Sequence, residues 1–252
     1  MQENAVTTLF ISDLHLTEER PSIIALFQKF IHEEAAQADA LYILGDLFEA
    51  WLGDDAVQPN MQPVLDELAW LTGTGVPVFI MVGNRDFLIG KRFEEMTGCT
   101  LLPDPSVINL YGTNTLLMHG DTLCTDDVDY QQFRKQVRNP TWQTAVLAKS
   151  IDERIAIARE VRAESQARTQ KKSEDIMDVN ADAVREAFRE YGVDRLIHGH
   201  THRPAIHPLT VDETPVTRIV LGDWYDQSSV LRVSKNGIEL SDCPTTSGTG
   251  NH

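Results

Sequence analysis

The stretch Phe10-Ile11-Ser12-Asp13-Leu14-His15 decides how the rest of the chain is read. Residues 8–11 form a short β-branched and apolar run, the composition of a buried strand, and the run leads into a carboxylate and an imidazole two positions apart. At strand spacing Asp13 and His15 lie on the same side, so one rigid tip can offer both to a single metal ion. Alone, the pair reads better as a strand running into a polar turn. The same event recurs at four later strand ends, and the recurrence carries the argument.

Downstream, Ile23, Ile24, Phe27, Phe30 and Ile31 recur at helical spacing, and 38–44 returns to a buried strand that ends in Gly45-Asp46. A helix over 61–71 leads to the apolar strand 76–82, which ends in Gly83-Asn84-Arg85-Asp86. Strands alternating with helices predict a parallel βαβ sheet covered by helices, with its site outside the strands' C-terminal ends. Strands at 107–111 and 115–118, joined by a Gly112-Thr113-Asn114 turn, run into His119-Gly120-Asp121. A helix over 181–191 precedes the strand 195–198, which ends in Gly199-His200-Thr201-His202. Ile206 and the runs 217–221, 229–233 and 238–240, with a Lys235-Asn236-Gly237 turn, read as a second, antiparallel group. Glycines 45, 83, 120 and 199 are expected to let the backbone turn sharply at the tips.

The tips collect Asp13, His15, Asp46, Asn84, His119, His200 and His202. Carboxylate, amide oxygen and imidazole together suit Mn²⁺, Fe²⁺ or Zn²⁺, and no thiolate is among them. Seven ligands are too many for one ion and suit two ions sharing one carboxylate, for which Asp46 is the natural bridge. His198, Asp86 and Asp121 read as structural or hydrogen-bonding neighbours of these ligands.

Composition limits the alternatives. At 252 residues the chain is long enough for one large core, and one domain is expected over 1–244, interrupted by an insertion over 125–179 and followed by a disordered polar tail at 245–252. No leader and no membrane-spanning run is legible, so a cytoplasmic protein is expected. Cys99, Cys124 and Cys243 have no metal-type spacing and read as free thiols. A net charge of -16 argues against general affinity for nucleic acid. The charge is uneven, however: ten of the 22 basic residues fall between 134 and 172, against four acidic ones there. That segment is expected to face something anionic. Within it Trp142, Val146, Ile151, Ile155, Ala158 and Val161 recur near helical spacing. This fits a helical hairpin packed on the body, or a lid that is apolar inside for acyl chains and basic outside for an anionic lipid surface.

The order Asp-x-His, Gly-Asp, Gly-Asn, His, Gly-His-x-His over positions 13–202 resembles the calcineurin-like metallophosphoesterases. The resemblance implies an α/β fold, a four-layer αββα sandwich with a helical lid insertion. It also implies one ion held by Asp13, His15, Asp46 and His202, the other by Asp46, Asn84, His119 and His200. Asn84, Arg85 and His119 are the expected catalytic groups. Many members of that family carry His after the Asn, where this chain has Arg85. An arginine stays protonated and serves as a charge clamp, which favours a leaving group that needs little protonation, such as a phosphate leaving a pyrophosphate.

Within the family the chain is similar to the branch that acts on a diacylated nucleotide sugar in lipid A biosynthesis. The likeness is carried by Ile-Ser-Asp-Leu-His-Leu at 11–16, Gly-Asp-Leu-Phe-Glu-Ala-Trp-Leu-Gly-Asp-Asp at 45–55, Gly-Asn-Arg-Asp-Phe at 83–87 and Gly-Asp-Trp-Tyr at 222–225. This implies release of UMP from a UDP-linked diacylated glucosamine with two Mn²⁺ ions per chain, at the cytoplasmic face of the inner membrane, by a peripheral protein. It implies substrate contacts at Asn84, Arg85, Asp127, Ser165, Thr169, Lys172 and His200. The expected partners are that substrate and the membrane surface, not nucleic acid, with the chain a monomer. A soluble nucleotide or phosphodiester hydrolase, and a non-catalytic scaffold of the same fold, stay open as alternatives.

Overall fold

The computed structural model of the protein describes residues 6–169, 178–225 and 228–242, without the side chains of 163–169. Lys172, Cys243, the expected tail at 245–252 and the side chains of Ser165 and Thr169 therefore lie outside the described residues. The chain runs β1 (Thr7–Ile11), α1 (Pro21–Glu33), β2 (Ala40–Leu44), α2 (Gln62–Gly73), β3 (Val78–Met81), α3 (Lys91–Thr97) and β4 (Thr100–Leu102). It continues with β5 (Ser106–Leu110), β6 (Thr113–Met118), α4 (Val128–Val137), α5 (Pro140–Leu147), α6 (Ile151–Thr169), α7 (Ala181–Tyr191) and β7 (Arg195–His198). The last strands are β8 (Ala205–Val211), β9 (Thr214–Val220), β10 (Ser229–Ser234) and β11 (Gly237–Asp242).

Two sheets result, in the orders β11-β10-β1-β2-β3-β4 and β5-β6-β7-β9-β8. Strands β1 to β4 are mutually parallel, as are β6, β7 and β9. Alternation along each strand decides what the layers bury. Leu9 and Ile11 of β1 join Phe27, Phe30 and Ile31 of α1 and Val64, Leu65, Leu68 and Leu71 of α2 in one core. Phe10, between them, faces the other way and packs with Leu117, Ile197 and Ile219 of the second sheet. Leu116 and Leu196 turn outward onto Val184, Ala187 and Phe188 of α7. Helix, sheet, sheet, helix is thus the αββα sandwich expected from the sequence. Each such fully buried Leu, Ile or Phe contributes roughly 1.5–3 kcal/mol, and the central strands are covered on both faces, while the edge strands β5, β8 and β11 leave alternate residues exposed.

Two expectations are corrected. The late strands are not a group apart: β10 and β11 extend the first sheet antiparallel to β1, and β8 pairs antiparallel with β9 in the second. The β5–β6 turn is Tyr111-Gly112, both with positive φ (52° and 93°), so Thr113 and Asn114 are already in the strand; two consecutive left-handed residues make the tight hairpin whose twist matches the strands. The sequence reading also passed over α3 and β4, whose short runs carry little periodicity. Helix α7 matches its expected bounds because its signals are complete: Asn180 accepts from the Asp182 and Ala183 amides, and Gly192 closes the helix at φ 59°.

Helices α4 to α6 lie over the edge where β2 and β3 end. Arg154 of α6 is 4 % exposed, although it belongs to the basic segment. Its guanidinium grips Asp55 at 2.6 and 2.8 Å and donates to the carbonyls of Leu52 and Leu147. Arg134 pairs with the buried Asp121 at 2.8 Å, and Arg138 donates to the carbonyls of Val82 and Gly83. These three cations therefore fasten the helices to the body instead of facing an outside anion, which corrects the reading of the whole segment as an outward basic face. Ile151 is likewise 45 % exposed and belongs to no apolar inner face.

Candidate metal centre

Because β1, β2 and β3 run parallel, their C-terminal ends meet at one edge, and the end of β6 closes against them across the two sheets. His119 Nδ1 lies 2.9 Å from the carbonyl of Leu44, the last residue of β2. The loops after β1 and β2 are stitched together by Asp13 N to Gly45 O (3.0 Å) and His15 N to Asp46 O (2.9 Å). Asp13 and His15 do not sit at strand spacing: the strand stops at Ile11, and both residues have left-handed backbone, φ 56° and 49°. Asp46, His200 and His202 share that conformation, with φ 53°, 69° and 56°.

The ligand atoms gather around one carboxylate. Asp46 Oδ2 is 3.8 Å from His15 Nε2 on one side and 3.8 Å from His119 Nε2 on the other. Asp13 Oδ1 is 3.3 Å from His202 Nε2. Asn84 Oδ1 lies 2.9 Å from His119 Nε2 and 3.0 Å from His200 Nδ1. All seven expected ligands are therefore brought together, in two groups that meet at Asp46. Asp13 Oδ1 and His15 Nε2 are buried without a hydrogen-bond partner. Buried polar atoms left bare are costly; both lie in the first group, where a divalent cation would satisfy them, and the carboxylate, amide and imidazole donors of the two groups together fit a pair of hard or borderline ions.

Electrostatics agree. Burial pulls His119 down, yet the carboxylates of Asp46, Asp121 and Asp13 outweigh it and raise the imidazole to about 9. His202 is raised to about 10 in the same way, burial being overcome by Asp13 and Asp223. His200 goes the other way, to about 4, through burial and the neighbouring His119. Asp13 is held well below the usual carboxylate range because His202, His119 and His15 outweigh its burial. The acidic cluster demands positive charge at the positions where ions would sit.

Neighbours hold the ligands in place. Asp86 is fully buried and accepts from Gly83 N (2.7 Å), Leu47 N (2.8 Å) and Phe48 N (3.4 Å), locking the Asn84 loop to the Asp46 loop. Burial, then Asp46, raises it to about 6. Asp121 anchors Tyr130 and Arg134 at the foot of α4, and His198 is buried with Nδ1 near the Gly199 carbonyl; all three are the structural neighbours expected. Gly45 and Gly120 do turn in the left-handed region, φ 95° and 117°. Gly83 and Gly199 do not; they supply room, since a Cβ on Gly83 would crowd Asp46 and one on Gly199 would crowd Ser12 and Asp13. The sequence reading missed Asp223, 3.1 Å from His202 Nδ1, and Glu49, 3.2 Å from His15 Nδ1. Their position inside the quoted Gly-Asp-Trp-Tyr and Gly-Asp-Leu-Phe-Glu runs was the available signal.

Beside the ligands, a narrow cavity of about 80 Å³ lies between the body and α5–α6. Trp51, Leu88, Trp142, Val146, Ile157 and Val161 make it apolar, while Asn84, Arg85 and Arg162 stand at its polar end. Arg85 Nε is buried without a partner, and its backbone N donates to Asp46 Oδ1 at 2.7 Å. Asp127 is the N-cap of α4, accepting from Tyr130 N at 3.0 Å. His200 is 5.8 Å, ring to ring, from Tyr130. No helix among the described residues is long and apolar enough to cross a membrane.

Similarity to known proteins covers nearly the whole chain. A protein of Xanthomonas axonopodis pv. citri named UDP-2,3-diacylglucosamine hydrolase is 53% identical over 242 residues, 93% of this chain and 98% of the relative. One of the same name from Pectobacterium carotovorum subsp. carotovorum is 52% identical over 239 residues, 95% of this chain and all of the relative. The family model described as calcineurin-like phosphoesterase matches residues 6–204, a span that begins at β1 and ends just after the last of the seven ligands. The chain belongs to the calcineurin-like phosphoesterases.

Proposed function

We propose that the protein hydrolyses the pyrophosphate bond of UDP-2,3-diacylglucosamine, releasing UMP and 2,3-diacylglucosamine 1-phosphate, a step of lipid A biosynthesis. The observation that carries this reading is the juxtaposition of an apolar cavity with the two ligand groups joined by Asp46: one end suits acyl chains, the other a pyrophosphate. The names and near-complete coverage of the relatives support the same substrate.

In this proposal Asp13, His15, Asp46 and His202 would hold one Mn²⁺, and Asp46, Asn84, His119 and His200 would hold the other. When bound, such a pair supplies a water of lowered pKa and offsets the charge that builds on the phosphoryl oxygens. The chain's own groups do the rest. Asn84 and Arg85 hold the pyrophosphate, the unpartnered Arg85 Nε giving a fixed positive edge. His119, its Nδ1 fixed by the Leu44 carbonyl, keeps Nε2 directed at the reacting end. Asp127 and His200 meet the sugar phosphate together with Ser165, Thr169 and Lys172.

The segment 125–179 acts as a lid within a single catalytic domain over 1–244. Lys135, Lys149 and Arg159, exposed on this segment, favour an anionic surface, and a diacylated substrate is delivered from a membrane. The protein therefore works as a peripheral monomer at the cytoplasmic face of the inner membrane. The test is UMP release with Mn²⁺ from UDP-2,3-diacylglucosamine against UDP-glucose. Turnover of the lipid substrate alone is expected, with Asp46→Ala inactive and depleted in metal. Equal turnover of both substrates overturns the lipid reading in favour of a soluble nucleotide hydrolase, and no turnover of either favours a scaffold.

A further inference from the structure

The apolar cavity and the metal ligands share one side chain that neither the ligand set nor the substrate contacts include. Glu49 follows the Asp46 loop and is 8 % exposed. Its Oε2 stands 3.2 Å from His15 Nδ1, the ring nitrogen opposite the one directed at Asp46, as a charge contact without hydrogen-bond alignment, and accepts the Tyr225 hydroxyl at 3.1 Å. Its other oxygen, Oε1, is 3.0 Å from Nη2 of Arg162, on the cavity wall of α6. Tyr225 is itself pinned, with the Arg20 guanidinium 3.7 Å over its ring and Arg20 donating to the His15 carbonyl.

We infer that Glu49 is a positioning residue that links the seating of α6 to the first metal group: one carboxylate oxygen fixes the His15 ring, and the other receives Arg162. A carboxylate behind a ligating histidine sets its tautomer and ring orientation and raises its basicity. His119, by contrast, is backed by the neutral carbonyl of Leu44, so the effect is confined to the His15 group. Arg162 at the shared end makes the strength of that backing depend on where α6 lies. Without Arg162, Glu49 keeps Arg85 as a nearby cation and Tyr225 on Oε2 but loses the contact that holds Oε1 toward α6. The inference rests on the two-ion reading above.

The experiment titrates chelator-stripped protein with Mn²⁺ alone, by calorimetry, for wild type, Glu49→Ala, Glu49→Gln, Arg162→Met and the double variant Glu49→Ala/Arg162→Met. Wild type is expected to take up two ions. Glu49→Ala should weaken one binding step by about 10–100-fold and leave the other unchanged. Glu49→Gln keeps an acceptor oxygen and the side chain's shape, so its loss should be smaller and its fold unaffected. Arg162→Met keeps the apolar stem on the cavity wall and should weaken the same step several-fold, with the double variant no worse than Glu49→Ala. Raising Mn²⁺ should restore turnover in Glu49→Ala, which a misfolded site would not allow. Unchanged Mn²⁺ affinity in both Glu49 variants overturns the positioning role. Losses in Glu49→Ala and Arg162→Met that simply multiply in the double variant overturn the link to α6. Fewer than two ions in wild type overturns the two-ion reading itself, a result distinct from either.

Discussion

Gly83→Ala adds one methyl group at a point where the structure has no space for it. The backbone of Gly83 lies outside the left-handed region, so alanine meets no conformational penalty there. The obstacle is Asp46: an ideal Cβ would stand 2.7 Å from its Cγ and closer still to its Oδ1 and backbone N. A carbon needs about 3.5 Å to a neighbouring heavy atom, so the carboxylate or the Gly83 loop must move by roughly 1 Å. Neither can yield freely. Gly83 N is held by Asp86 at 2.7 Å and its carbonyl by Arg138 at 2.8 Å, while Asp46 Oδ1 is held by Arg85 N at 2.7 Å. Metal–ligand distances tolerate about 0.2 Å, and a displacement of this size at a reacting centre costs on the order of 100-fold in rate. The expected result is a fall of about 100-fold or more in kcat/KM, with elemental analysis reporting fewer than two bound ions. Gly73→Ala is the matched control: its Cβ meets nothing within 4 Å and lies at the end of α2, so activity should be unchanged and stability equal or higher by up to about 1 kcal/mol. A Gly83→Ala enzyme with both ions and full activity would refute the assignment of Asp46 as the shared ligand.

Other expectations follow from the same site. His119 and His202, raised to about 9 and about 10, hold protons that an incoming ion must displace. Mn²⁺ affinity measured by calorimetry should therefore climb with pH, by up to about tenfold per unit for each proton released, and level off once both imidazoles are neutral. Chelator-stripped protein should show the opposite trend in urea: the stability those raised values confer is fully present below about pH 6.5 and is lost as pH rises through 9 and 10. Arg154→Met leaves the Leu52 and Leu147 carbonyls without their donor, so α5–α6 should loosen by about 2 kcal/mol and become cleavable near 147–154 under limited proteolysis. Unaltered protease resistance counts against Arg154 as the fastening. Ala158→Trp, placed in the cavity wall, should cut kcat/KM for the diacylated substrate while leaving Mn²⁺ affinity unchanged; equal losses in both would show that the cavity is no separate acyl site.

Much of this architecture is legible in the chain because the strands are buried on both faces. Runs such as Leu41, Tyr42, Ile43, Leu44 have no polar partner face, which identifies parallel strands and places the following residues at a common edge. The seven ligands could be collected from their positions after such runs. What could not be read was how the late strands divide between two sheets, because an antiparallel hairpin such as β10–β11 has the same local signature whichever sheet receives it. Charge patterning misled for a related reason. Arg134, Arg138 and Arg154 count as basic in any tally, but Asp121, the Gly83 carbonyl and Asp55 that absorb them are distant in sequence.

The deeper gap concerns the ligands' backbone. Strand spacing suggested that Asp13 and His15 converge because alternate residues share a face, whereas the structure obtains convergence by left-handed conformations at Asp13, His15, Asp46, His200 and His202. Each non-glycine residue there costs about 1–2 kcal/mol, a burden no strand would accept without recompense. The surrounding bonds over-determine it: Asp13 N and His15 N are held by the Asp46 loop, and His200 N by Asp13 Oδ2 at 2.9 Å. Because Asp13, His15 and His200 are each fixed by another ligand's loop, loosening one of these loops should disturb its neighbours. Removing one anchor, such as the three amide contacts of Asp86, should relax several ligands together. Asp86→Ala should then lose both ions in one step instead of weakening one, and stepwise loss in a Mn²⁺ titration would show that the two groups hold their shape independently.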